Sequence, residues 1–496
     1  MATDKLKQIG DAISSDEFLG FVPTSNSTKP PHIANGLFRH CMGETCDTRD
    51  VHEWVFNDNA KNSLSSEEIL SKYVELFQNG ANEKISNIKE FRFLLEEIFN
   101  QDNGAYAGAN NYAYSVMTIS SHWMIRGAVS SEGHIGDFLF KILSKQIDGK
   151  RSFAIDIIQK ALKNDKDDVT SLVKPIIAFP SEKGKRNAMG VNYFDEIDIS
   201  WDPCKQIIRE GFDQLAKNVE IIGESKNSLL VLRRIINYSI FATFLYLIHC
   251  NHAIYCGEKP PIVIDAGGDL ESIKKASEQA YSSAKKAVED FYANCIRKQL
   301  YTEIAEDSIE VCKAWIEGMT FSSSDREDLI KPALKCYFES FCGEENSAIK
   351  ALSRALQIVL YTCEYKNSSP SDFCRVLGVR SGLIGPKGNR AKVKRYLTNS
   401  FTLETITLSA LSVDELKAGL ELKELSERLV EKYNVILGAN SEAEYELLVK
   451  NNIAQSTPGD LRGDLSTNAQ MLANTFISLG LGKKYADGVT LIGWRL

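Results

Sequence analysis

Apolar residues recur at helical spacing along most of the chain, and that pattern predicts a mainly α, multi-domain helical protein. The first 60 residues show little periodicity; Pro23, Pro30, Pro31 and a Ser/Thr/Asn run read as an irregular N-terminal segment. Ser65-Ser66-Glu67-Glu68 then offers a cap with acids in the first turn, followed by Ile69, Tyr73, Leu76 and Phe77. Asn87 precedes a similar run through Phe91, Leu94, Leu95 and Ile98, the Gly/Asn/Ala/Tyr-rich residues 100–114 read as a loop, and apolar stretches follow at 114–124 and 135–143. Further helices are expected over 153–162, 203–222, 228–250, 270–300 and 348–361, the fourth of these starting behind Asp269. The short connector 223–227 makes the two before it an antiparallel hairpin. Ile262-Val263-Ile264, after two prolines, is the best strand candidate in the middle of the chain.

The C-terminal stretch carries helices from Val413, Glu442 and Ser466, then Lys484-Tyr485-Ala486, an Asp487-Gly488 turn and Val489 to Ile492, a strong hairpin pattern. Helices followed by a two-stranded wing resemble a winged helix, a resemblance that implies architecture only. The helix from Ser466 is expected to bury Met471, Leu472, Thr475, Phe476 and Leu479 and to present Asn468, Gln470, Asn474 and Ser478 on its other face, where they could meet base edges. These patterns divide the chain into an irregular segment 1–60, helical domains 61–150 and 151–345, a small basic helical unit 346–410 and the winged-helix-like unit 411–496.

Length agrees with that division, because 496 residues exceed what one core usually organises. A net charge of −8 argues against a chain-wide cationic surface, so any nucleic-acid contact must be local. The eleven cysteines are odd in number and scattered, which reads as free thiols in a reducing, cytoplasmic setting. Met1 to Lys7 lacks an apolar core, so no signal peptide is expected. The most apolar stretch, 229–250, is interrupted by Arg233 and Arg234, leaving 16 uncharged residues where a membrane span needs roughly 20; a buried core helix is expected instead.

The strongest local charge lies between Ser371 and Leu397. Seven cations, Arg375, Arg380, Lys387, Arg390, Lys392, Lys394 and Arg395, stand there against one acid, Asp372. Glycines at 378, 382, 385 and 388 would let backbone N–H groups approach a phosphate, and Tyr396 could stack on a base. A solvated basic loop, or a dock for an acidic protein, accounts for the same residues. No phosphate-loop signature of the nucleotide-hydrolysing kind occurs.

Other patterns carry less. Glu224-Ser225-Lys226 has the Glu-x-Lys form of a large nuclease class, with Asp195 or Asp198 as a partner carboxylate for a divalent metal, but that site needs a strand where 219–222 reads as a helix end, and a surface turn between two helices is the better reading. Ile262 to Asp269, with Gly267-Gly268, resembles the phosphate loop of actin-like sugar kinases, and a tight turn into a helix explains the glycines without chemistry. His32, His40, Cys41, Cys46 and His52 cluster within 21 residues without the paired spacing of a zinc site, and His249, Cys250, His252 and Cys256 are weaker still. No catalytic residue, metal or cofactor is assigned. The expectation is a non-enzymatic helical subunit of an intracellular assembly in bacterial DNA processing or antiphage defence, with protein partners, a local nucleic-acid contact and no membrane. The alternatives are a metal-dependent nuclease using Asp195/Asp198, Glu224 and Lys226, and a pure protein-interaction scaffold.

Overall fold

The structure, a computed structural model, describes residues 4–23, 30–45, 93, 133–163, 187–188, 199–222, 228–387, 393–456, 459–486 and 488–494. They form a mainly helical protein with sixteen α-helices and a few short strands. The first six helices are α1 (Lys5–Ile13), α2 (Pro30–Met42), α3 (Ile135–Ser144), α4 (Phe153–Lys163), α5 (Pro203–Ile221) and α6 (Ser228–Tyr255). Next come α7 (Glu271–Glu303), α8 (Ile309–Gly318), α9 (Ser324–Cys342), α10 (Ala348–Val359), α11 (Pro370–Ser381) and α12 (Ser400–Ala410). The last are α13 (Val413–Ala418), α14 (Leu422–Tyr433), α15 (Ser441–Lys450) and α16 (Leu461–Ser478). Strands β1 (Glu44–Thr45) and β2 (Asn187–Ala188) pair with each other. Strand β3 (Ile262–Val263), β4 (Leu420–Glu421), β5 (Val435–Ile436), β6 (Gly482–Lys484) and β7 (Thr490–Ile492) complete the set.

Helix α6 is the centre. It is apolar on every side, so no single face can be left to water, and it packs against α2, α3, α4, α5, α7, α11 and α12. Its length and composition would suffice for a membrane span, yet 94% of its apolar window is buried inside the protein. Two of the polar groups it carries are paired with α12: Arg234 with Glu404 at 2.9 Å, and the Asn237 amide donating to the Thr402 and Thr405 hydroxyls at 3.2 and 3.3 Å. Tyr238 lies 3.2 Å from the hydroxyl of Tyr433, and Gly211 of α5 lets both hydroxyls approach. Asn218 of α5 donates to the carbonyls of Leu408 and Leu411 at the end of α12. The hydrophobic core is continuous from Leu6 to Ile492 and crosses positions 345 and 410, with α9 against α10 and α12 against α14.

Behind α6, β3 and β5 form a parallel pair although 173 positions separate Ile262 from its partner Val435. Asn468 of α16 locks their ends: its amide nitrogen donates to the Ile264 and Leu437 carbonyls, and its oxygen accepts from the Ala266 N–H. The Glu444 carboxylate closes the next turn, accepting from the N–H groups of Leu437, Gly438 and Asn440. Farther along, β4, β7 and β6 form an antiparallel sheet in the order β4-β7-β6.

The expected helices at 135–143, 153–162, 203–222 and 228–250, the strand at 262–264 and the terminal hairpin are present, with α6 running on to Tyr255. Four readings change. Within 1–60, α1 and α2 replace an irregular segment: Pro30 opens α2, where no helical N–H is needed, and Ile33, Ala34, Leu37, Phe38 and Cys41 make a buried stripe. The helix from Val413 breaks at Gly419 (φ +79°), giving α13, β4 and α14. Helix α16 begins at Leu461, capped by Asp460, and not at Ser466. Helix α7 starts behind Leu270 without a side-chain cap, and Asp269 lies 3.4 Å from the Lys274 ammonium instead. The helix expected over 69–77, the apolar stretch 114–124, the run 91–98 apart from Phe93, and the connector 223–227 lie outside the described residues.

Two measurements follow from this packing. In Gly211→Ala the new Cβ would sit 1.6 Å from the Tyr238 hydroxyl oxygen. Overpacking of this kind costs about 1–3 kcal/mol, visible as a lower urea midpoint. His249 is buried against the Pro260 carbonyl at 3.0 Å, and burial, then the Lys259 cation, push its pKa from 6.5 to about 3. The unfolded chain takes up this proton near pH 6.5 and the folded chain resists it, so stability present above 6.5 is lost as pH falls toward 3. Between pH 7 and 5, wild type should lose about 2 kcal/mol more than His249→Gln.

Candidate nucleic-acid interface

The basic segment begins on α11. Pro370 occupies its first turn and Ser369 caps it, accepting from the Asp372 N–H, which places Arg375 and Arg380 along one short helix. The helix ends at Gly382 (φ +74°), where the chain doubles back so closely that a Cβ on Gly378 would lie 2.2 Å from the Ile384 side chain. From there Gly385 pairs with Arg395 through two backbone hydrogen bonds of 3.0 Å. The glycines therefore make a turn and a close backbone approach, as glycine's small size allows.

The structure divides the seven cations. Arg395 turns inward: its Nε donates to Asp265 Oδ2 at 2.5 Å, and the Asp265 side chain is 2% exposed. The other carboxylate oxygen of Asp265 accepts from the Gly267 N–H at 2.7 Å, so the Gly267-Gly268 loop is a turn bound to its own aspartate. Lys394 is buried and donates to the Pro386 carbonyl. Arg380 is partly buried, and that burial lowers its pKa. Arg375 is partly exposed and Lys387 is exposed, while Arg390 and Lys392 lie outside the described residues. Tyr396 is wholly buried; its backbone N–H receives support from Ser277 Oγ, and it offers no ring for a base to stack upon.

What remains is a cluster around Tyr281 of α7. The Lys285 ammonium lies 5.5 Å from the Tyr281 ring centre. Burial and then the Cys374 thiol raise the Tyr281 pKa, and Arg375 opposes them. Lys394 has a lowered pKa, first through burial and then through the like charge of Arg375. An anion drawn to Arg375 would relieve that repulsion. The acids nearby are engaged: Glu289 accepts from the Ser371 hydroxyl at 3.0 Å and Asp372 from the Ser369 hydroxyl at 2.8 Å. Lys285 escaped the sequence reading because it lies 90 positions before Arg375; its spacing of four from Tyr281 on α7 is the signal that could have found it.

On α16, Asn468 is buried in the strand clasp and cannot meet a base. Gln470, Asn474 and Ser478 are exposed, as are Arg462, Lys483 and Lys484, and the Lys483 ammonium lies 5.1 Å from the Tyr485 ring centre. Asp464, the acid within α16, is held by the Ser272 hydroxyl.

The remaining candidates stay apart from this surface. His32, His40 and Cys41 lie on α2, with His40 stacked on Phe140 at 5.5 Å and 3.7 Å from an Asp137 oxygen; Cys46 and His52 are outside the described residues. Burial, then Arg39, lowers the His40 pKa to about 4. Among the described residues no group of three or more His, Cys, Asp or Glu side chains is placed to hold a metal ion. Residues 219–221 are helical, and Asp195, Asp198, Glu224 and Lys226 lie outside the described residues. The chain matches no family model, no curated protein and no solved structure.

Arg395→Ala would leave the buried Asp265 carboxylate without its charge partner. Such a loss costs about 3–5 kcal/mol, whereas Arg375→Ala at the surface should stay within about 0.5 kcal/mol. Equal urea midpoints for the two variants would contradict this division.

Proposed function

We propose that the protein is a non-enzymatic helical subunit of an intracellular assembly, and that it contacts nucleic-acid phosphates through the Arg375 surface. The observation that carries the reading is the placement of Lys285 and Arg375 beside Tyr281, with exposed Lys387 on the same segment as Arg375. Cations held together in an otherwise acidic chain attract a polyanion and gain from releasing its counterions. Arg390 and Lys392 extend the same stretch of sequence. Lys394 and Arg395 serve the fold instead, donating to the Pro386 carbonyl and to Asp265.

A winged-helix-like C-terminal unit is a second contact in this reading. The sheet order β4-β7-β6 and the acid-poor outer side of α16, flanked by Lys483 and Lys484, support it. The ten described cysteines are all free thiols, which favours a reducing compartment. Protein partners, and a setting in DNA processing or antiphage defence, belong to the same proposal.

The test is a fluorescence-anisotropy titration with single- and double-stranded DNA and with RNA at two salt concentrations. The wild-type protein should bind with steep salt dependence, and Arg375→Glu with Lys387→Glu should lower the salt slope by about one unit for each phosphate contact removed. Absence of binding at low salt, or an unchanged slope in the variant, would leave the acidic-partner scaffold as the better account.

A further inference from the structure

Helix α9 packs one side onto α10 and α8, and its buried residues Ile330, Leu334 and Phe338 recur every four positions along that side. A helix served by water on its other side keeps polar residues there. On α9 an apolar pattern is repeated outward. Leu329, Pro332, Ala333, Cys336 and Tyr337 stand at i, i+3, i+4, i+7 and i+8, the spacing of a second covered stripe. Leu329 is 61% and Tyr337 36% exposed, Pro332 and Cys336 are exposed, and Ala333 is half-buried. Pro332 lies inside the helix, where proline is unfavourable by about 3 kcal/mol relative to alanine. Having no N–H, it leaves the Asp328 carbonyl, one turn back, without the usual helical donor.

Charge then distinguishes the occupants of such a stripe. Asp325, Asp328 and Glu339 run along one edge of it. The cations of α9 are committed within the molecule, Arg326 to Asp4 and Glu364, Lys331 to Glu327 and Lys335 to Glu317, whereas Asp325 and Asp328 form no ion pair among the described residues. A second copy of the chain fits poorly. Parallel pairing of two α9 helices would set Asp328 against Asp328, and antiparallel pairing about Pro332 would set Asp325 against Glu339, like charge on like charge.

We infer that the outer face of α9 docks a basic amphipathic helix of a partner protein. Its aliphatic side chains would seat on Leu329, Cys336 and Tyr337, and its lysines or arginines would face Asp325, Asp328 and the open carbonyl between them and the stripe. This names the chemistry of a protein partner and rests on that part of the proposed reading, not on the nucleic-acid contact.

The test adds the full chain to labelled helical peptides of about 20 residues and follows fluorescence anisotropy. One peptide carries a leucine stripe flanked by lysines, a second the same stripe flanked by glutamates, and a third the lysine composition in scrambled order. The lysine-flanked stripe should bind saturably, and about tenfold or more tighter than either other peptide. Leu329→Glu with Cys336→Glu should weaken it about tenfold or more, the size of an interface hot spot. Asp325→Asn with Asp328→Asn should erase most of the preference for lysine over glutamate. All four substituted side chains are exposed, so circular dichroism and the melting temperature should stay at wild-type values. Equal binding of the three peptides, binding that survives the Leu329/Cys336 variant, or sedimentation showing a dimer that this variant abolishes would overturn the inference. Nucleic-acid binding measured in parallel should not differ between wild type and the α9 variants. A loss of it in the variants would also overturn the inference, whereas its absence from wild type would count against the nucleic-acid reading alone.

Discussion

An apolar helix with no polar face has to be enclosed, and α6 imposes that requirement on the rest of the molecule. Seven other helices cover it, drawn from residues as early as Pro30 and as late as Ala410. Covering so much hydrocarbon forces some polar groups inside, and several are answered locally: Arg234 by Glu404, Asn237 by two threonines, His249 by a carbonyl. The threonine-rich sequence of α12 makes sense in this light. The Thr402 and Thr405 hydroxyls lie buried against Asn237, where a purely aliphatic helix would leave that amide without partners.

The same economy governs the basic segment. Seven cations in sequence suggest a uniform surface, yet the fold uses Arg395 and Lys394 as internal ties and leaves Arg375 and Lys387 outside. Asp265 is the reason for the first. It ends a buried strand, and a carboxylate in that position needs both the Gly267 N–H and a guanidinium. Charge content alone cannot distinguish a cation that serves the fold from one that serves a ligand, because the distinction depends on a partner 130 positions away.

Elements with strong local signals were readable in the sequence: the alternating apolar stripes of α4 and α5, the continuous apolar run of α6 and the Asp-Gly hairpin all lie where periodicity places them. Misreadings concentrate where tertiary contacts override local pattern. Two prolines masked α2, although they occupy its first turn. Asn468 lies one residue from Ala469 and three from Leu465, on the inner stripe of α16, but its amide suggested an outer face until the strand ends it joins were in place.

The position of α6 in the sequence also has a consequence for synthesis. The helix is complete at Tyr255, but α11 and α12, which cover two of its sides, end only at Ser381 and Ala410. At about 5–20 residues per second, a ribosome needs on the order of ten to thirty seconds to add that stretch. Throughout this interval the nascent chain carries an incompletely sheathed span-like segment, one that resembles a membrane insert to any factor scanning the exit tunnel. The order of the elements along the chain thus sets when the apolar sides of α6 can be closed, and α12 is the last to close one.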